Sequence, residues 1–336
     1  MARPGLTTLA GVVALVALVA LSIITGSTAI PLAKVQSALA LGLGLSEGDP
    51  TPISRIILDL RLPRALFSAI IGAGLGIVGV ILQTTTRNDL ADPFLFGLSS
   101  GAAAGAVFVI TVTGDVLGIW TLSLAAFCGG VIASAIILTL VQALRNSTPE
   151  QLILAGLAVS FLFAAITNFL IFSGDSRAAH SIIFWMLGGL GLARWDSLPI
   201  VVAGFGLIFT FALYHSRKLD ALLTGDTTAT SLGVPVGRLR MQMFFVSALA
   251  TAAFVSVAGV IGFIGLMVPH LVRGLVGTLH IKLLPAAALC GAILLTASDI
   301  LSRVLLAPQE LPVGIVTTSL GAVFVFALLI FGGRMR

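Results

Sequence analysis

Long apolar runs separated by short polar segments set the pattern of this chain. Ten runs can be drawn, at residues 6–25, 65–83, 94–112, 117–144, 151–172, 197–214, 239–261, 263–277, 284–301 and 312–331. They are continuous, without the apolar–polar alternation of half-buried strands or of a membrane β-barrel, so each predicts a helix. Most approach the ~20 residues that a helix needs to cross a bilayer. The eighth is short and contains Pro269, His270 and Arg273, which predicts a half-helix. The first, Leu6 to Ile24, is too long for a signal-peptide core and reads as a retained helix. Three hydrophilic segments stand out. Residues 26–64 are rich in Gly and Pro, 173–196 are amphipathic, and 215–240 read as two short helices broken at Gly225, with Asp226 as the expected N-cap.

Composition narrows the class. Of 336 residues 58% are hydrophobic and only 9% are charged, against ~25% charged in a soluble domain. So much apolar surface cannot be hidden inside one chain of this size. The fold expected is therefore an all-α polytopic membrane protein, a single domain over 1–336 with a cytoplasmic segment at about 215–240. Cys128 and Cys290 lie in apolar runs and read as buried free thiols.

Charge suggests an orientation. Ten spans put both termini on one side, and Arg3, Arg334 and Arg336 assign that side to the cytoplasm. Arg87, Arg145, Arg217, Lys218, Arg238, Arg240 and Lys282 then also lie inside, against Lys34, Arg55, Arg61, Arg64, Arg177, Arg194 and Arg303 outside, with Arg273 ambiguous. The crowding of Arg55, Arg61 and Arg64 outside fits either a lipid-headgroup anchor or a docking site for an acidic partner.

Several patterns carry little chemistry. Gly72 and Gly76, and Gly97, Gly101 and Gly105, recur every four residues and predict close helix packing. Gly74, Gly76 and Gly79 spell GxGxxG inside an apolar run, without the strand that a dinucleotide site requires. Gly97, Ser99 and Gly101 spell GxSxG; an intramembrane serine hydrolase would need His180 or His270 to face Ser99. No P-loop occurs in the chain, no HExxH and no carboxylate pair occur inside the apolar runs, and no metal site is expected. Asp299 is either a functional intramembrane acid or an i, i+4 partner of Arg303. QTTTRNDLADPFLFG (83–97) interrupts an apolar region with turn formers, as a pathway-lining loop or a plain connection. An ion-gradient-driven secondary transporter is the other transport reading, but neither related repeats nor midplane ion sites are visible.

RLPR (61–64), TRNDLADPFLFGLSSGA (86–102), LAGLAVS (154–160), GDTTATSLGVPV (225–236), GFIGLMVPHLVR (262–273) and ELPVGIVT (310–317) occur in order along the chain. Together they resemble the permease subunit of binding-protein-dependent type II ABC importers (FecCD-like) for iron–siderophore complexes, haem and vitamin B12. The resemblance implies ten transmembrane helices and a homodimer in the bacterial inner membrane. It also implies two separate ATPase subunits that use ATP and Mg, a periplasmic binding protein, and alternating access. The chain itself would be no enzyme, would hold no cofactor and would bind no nucleic acid. By the same resemblance Arg61, Arg64 and Arg303 receive the binding protein. Leu222, Leu223, Gly225, Thr228, Leu232 and Gly233 contact the ATPase. Asn88 and Leu90 form one cytoplasmic gate and Thr148, Pro149 and Glu150 another, in a turn that departs from the Ser/Thr-rich form of the B12 branch. Ala158 to Asn168 and the last span line the pathway. His180 is the one histidine that could touch haem in transit.

Overall fold

Each of the ten apolar runs becomes a helix in the computed structural model, which describes residues 4–331 apart from 27, 29, 47, 48, 50, 115, 119 and 144–147. Arg3, Arg145, Arg334 and Arg336 lie outside the described residues, as does the side chain of Arg177. In chain order the helices are α1 Pro4–Ile24, α2 Leu32–Gly42, α3 Pro52–Arg55, α4 Leu62–Thr86, α5 Leu98–Phe108, α6 Trp120–Ala143, α7 Pro149–Ser173 and α8 Ser176–Met186. Then come α9 Leu198–Tyr214, α10 Ser216–Leu223, α11 Asp226–Ser231, α12 Val236–Ala258, α13 Ile264–Val276, α14 His280–Val304 and α15 Val313–Phe331. Among the described residues there is no strand. Seven helices are long and apolar enough to cross a membrane; α1, α5 and α13 are shorter apolar helices.

Helix α4 is the axis of the bundle. With α3 and the π-helical turn Ile56–Arg61 it forms a continuous 35-residue rod, buried along most of its length. Trp195 steadies that turn by donating its indole N–H to the Leu58 carbonyl at 2.8 Å. Small residues let the neighbours approach. A Cβ on Gly72 would sit 2.3 Å from the Gly291 carbonyl oxygen of α14, and one on Gly101 would sit 2.5 Å from the Gly129 carbonyl oxygen of α6. The four-residue glycine spacings are thus packing surfaces, and Gly74 of the GxGxxG lies against the Phe254 ring. Helices α7, α9 and α15 stand at the periphery and expose broad apolar faces.

The chain departs from regular helix where α12 ends. Residues 259–263 are non-helical, and Phe263 takes a left-handed conformation (φ 68°) before α13 begins. The break packs between the end of α8 and the glycine face of α15: Gly189 donates to the Ala258 carbonyl at 2.8 Å, and the Phe263 ring lies on Gly321. Irregular backbone inside an apolar bundle requires such protein cover. The half-helix expected at 263–277 is this α13. Two expectations change. Gly225, not Asp226, occupies the N-cap of α11, because Asp226 turns its carboxylate to arginine instead. Cys128 is exposed on the apolar outer face of α6, and Cys290 is half-buried.

Candidate functional site

Charged side chains collect at the two ends of the bundle. At one end, Asp299 of α14 is fully buried between two guanidiniums. Arg64 Nε lies 2.9 Å from its Oδ1, and Arg303 Nη2 lies 3.0 Å from its Oδ2. Arg64 also reaches Glu310 Oε2 at 2.6 Å. Arg303, 2% exposed, donates to the Ser22 and Thr25 carbonyls at 2.9 and 2.8 Å. Arg61, 8% exposed, donates to the Ile23 and Ile24 carbonyls at 2.9 and 2.8 Å, and to Thr28. The last turn of a helix leaves its carbonyls without intrahelical donors, and a cation there also complements the helix dipole. Arg61 and Arg303 therefore fasten the end of α1 to α4 and α14. They are not free rim charges, and only Arg64 has a modest exposed part, at 14%. Among the described residues, exposed positive charge at this end comes from Lys34, Arg55 and Arg194. The i, i+4 pairing of Asp299 with Arg303 is present, with Arg64 added from a distant helix.

The other end carries the loop after α4 and the pair α10–α11. Arg87 caps α4 in the left-handed region (φ 50°), and the Asn88 side chain accepts from the Leu90 backbone N–H at 3.0 Å. Leu90 is half exposed. Arg273 of α13 bonds Gln83 at 2.8 Å and Asp89 at 2.9 Å, tying this loop to the half-helix. The Thr148 hydroxyl caps α7, and Gln151 returns the bond to complete a capping box, with Pro149 in the first turn. Glu150 also lies in that turn, so the expected second gate residues do sit together as a helix start. In α10–α11, Leu219, Leu222 and Ala229 are buried, whereas Leu223, Thr228, Leu232 and Gly233 are exposed. Of the expected contact residues, Leu222 faces inward as an anchor.

Between the ends lies a cleft of about 630 Å³, lined by Asp92, Met186, Val260, Phe263, Thr318 and Ser319 among others. It borders the non-helical 259–263 segment and one face of α15. Its walls are apolar apart from Asp92 and two hydroxyls. Asp92 accepts from the Phe94 N–H at 2.9 Å, and burial pushes its carboxyl up to about 6. On α7, Ala158 and Asn168 are exposed.

Ser99 is buried and has no histidine within hydrogen-bonding distance among the described residues. His180 packs at a tilt against Phe184 and His270 packs edge-on to Phe324. No cluster of three metal-ligating side chains occurs among the described residues. Sequence reasoning passed over Glu310, Gln83, Asp220 and His280. Glu310 sits in a quoted motif without an assigned role, and His280 meets a partner 60 residues away, which no local pattern signals.

A bundle of long apolar helices with two charged ends and an apolar cleft between them defines a polytopic membrane protein. Residues 14–331 match the FecCD transport family, and the chain belongs to it. It is an ABC transporter permease. It is 39% identical to the cobalamin import system permease protein BtuC of Halobacterium salinarum, over 87% of this chain and 78% of that protein. It is 38% identical to the hemin transport system permease protein HmuU of Yersinia pestis, over 82% and 83%. It is 35% identical to the Fe(3+) dicitrate transport system permease protein FecC of Escherichia coli, over 88% of each. A solved structure described as an inward-facing metal-chelate type ABC transporter superposes with a TM-score of 0.83 at 30% identity, covering 96% of this chain and 98% of that one.

Proposed function

We propose that this chain forms, as a homodimer, the transmembrane pathway of an ATP-driven importer for a metal–organic cargo: haem, a ferric siderophore or a cobamide. Similarity to permeases named for cobalamin, hemin and ferric dicitrate supports that range of cargo. Two separate P-loop ATPases supply ATP and Mg chemistry, and a periplasmic binding protein delivers the cargo. The chain lies in the bacterial inner membrane with both termini in the cytoplasm.

The observation that carries this reading is α10–α11. Two short helices protrude at one end, with an apolar face buried and Leu223, Thr228 and Leu232 presented outward. That is a surface on which an ATPase can push. Displacement there would switch the loop at Asn88 and Leu90, and the start of α7 at Thr148, Pro149 and Glu150, between inward- and outward-facing states. The exposed faces of α7 and α15 meet those of the second copy and enclose the route, and the cleft beside α15 is part of its wall. At the opposite end the binding protein docks on Arg64 and the exposed Lys34 and Arg55, with Arg61 and Arg303 holding the platform rigid. Charge complementarity of this kind speeds and orients docking.

The test is uptake into proteoliposomes that hold the chain with its ATPase and binding protein. Uptake of cobalamin, hemin or ferric dicitrate should require ATP and persist when ionophores collapse all ion gradients. Uptake that needs a gradient and ignores ATP would replace this reading with secondary transport.

A further inference from the structure

The helices α10 and α11 have eight and six residues, too few to be stable alone. Gly225 (φ 109°) and Gly233 (φ 80°) flank α11, and glycine in such conformations permits pivoting. Ala229 is the one buried side chain of α11. A push on such a pair would be absorbed locally unless side chains fasten it to a rigid element. Two ties do so, and both end on the last turn of α4.

In the first tie, His280 at the start of α14 is fully buried. Its Nδ1 lies 2.6 Å from Asp220 Oδ1 of α10, and its Nε2 lies 2.9 Å from Thr84 Oγ1 of α4. The same Asp220 oxygen accepts the His280 backbone N–H at 2.9 Å. With Nδ1–H donated to the carboxylate, the neutral ring accepts a hydrogen bond from the Thr84 hydroxyl at Nε2. In the second tie, Arg240 of α12, 2% exposed, donates Nε–H to the Thr85 carbonyl at 2.8 Å. Its Nη2 donates to both Asp226 oxygens of α11, at 3.2 and 3.1 Å.

We propose that His280 and Arg240 are positioning residues of the coupling step, clamping α10 and α11 to the end of α4 so that they move as one body. This rests on reading α10–α11 as the ATPase contact. The clamp makes α4 the strut through which displacement at one end reaches the Asn88 loop and, along the rod, the Arg64–Asp299 cluster at the other.

The experiment measures cargo accumulated per ATP hydrolysed in the reconstituted complex, using whichever of cobalamin, hemin or ferric dicitrate the wild type accumulates. Thr84→Val removes the hydroxyl while keeping the shape, Thr84→Ser keeps it, and His280→Ala and Arg240→Ala break each tie. The clamp predicts a fall in the ratio of about five-fold or more for Thr84→Val and both alanine variants, the scale of an ordinary coupling free energy. ATPase activity should stay near wild type, and Thr84→Ser should retain the wild-type ratio. A merely structural tie would lower assembly or melting temperature and leave the ratio of assembled complexes unchanged, which overturns the proposal. Should a variant fail to assemble, spin labels at Thr228 of α11 and at Arg87, the C-cap of α4, in the otherwise wild-type complex decide: a separation constant across nucleotide states is required, and a change of more than about 5 Å, the scale of a one-turn shift, refutes one-body motion. A wild-type chain that recruits no ATPase would instead bring down the coupling reading beneath it.

Discussion

Asp299 shows how this chain keeps charge inside an apolar bundle. Two arginines from different helices share its carboxylate, and one of them spends its remaining donors on carbonyls at the end of α1. Removing one member of a buried ion pair leaves the other charge uncompensated, at a cost of about 3–5 kcal/mol. Asp299→Ala should therefore lower stability by that order in detergent unfolding, while Lys34→Ala, on the exposed surface, should change little. Equal stability of the two variants would mean that Asp299 is dispensable to the fold. The partner four residues away, Arg303, was legible from spacing alone. Arg64 was not, because it lies 235 residues from Asp299 in sequence. The burial of Arg61 and Arg303 was equally invisible, since an arginine in a polar connecting segment reads as exposed until the end of α1 is placed against it.

At the scale of elements, hydrophobic length and turn chemistry carried most of the information. Ten runs gave ten helices, and the short eighth run with Pro269 became the half-helix α13. The split of 215–240 at Gly225 also followed from local signals. The segment 26–64 was less legible: Thr51 and Pro52 start α3 by a local cap, but the π-helical turn that follows is held by Trp195, which no local pattern signals. The irregular 259–263 stretch falls where the seventh and eighth apolar runs meet almost without a polar break, and its contacts with the end of α8 and with α15 account for its conformation. The start of α7 offers a local test. Thr148→Ala removes the capping box, which should cost about 0.5–2 kcal/mol, seen as a lower melting temperature, with Thr148→Ser near wild type. No difference between the two variants would show that the cap does not hold this turn.

For the whole molecule, the arrangement is a rod, α4, buried in a bundle, with ion-pair clusters at both of its ends and an apolar cleft off its flank. Family membership was legible because six motifs keep their order over nearly the full length. The cargo was not, because the cleft walls are mostly apolar and the named relatives differ in what they carry. The central claim is that this rod works between an ATPase and a binding protein in a two-fold assembly. A native mass determination of the tagged chain, extracted gently from its own host, tests it most directly. The account predicts two copies of this chain with two copies of a P-loop ATPase. A chain that stays free of any ATPase, both in detergent and in lipid discs, would contradict it.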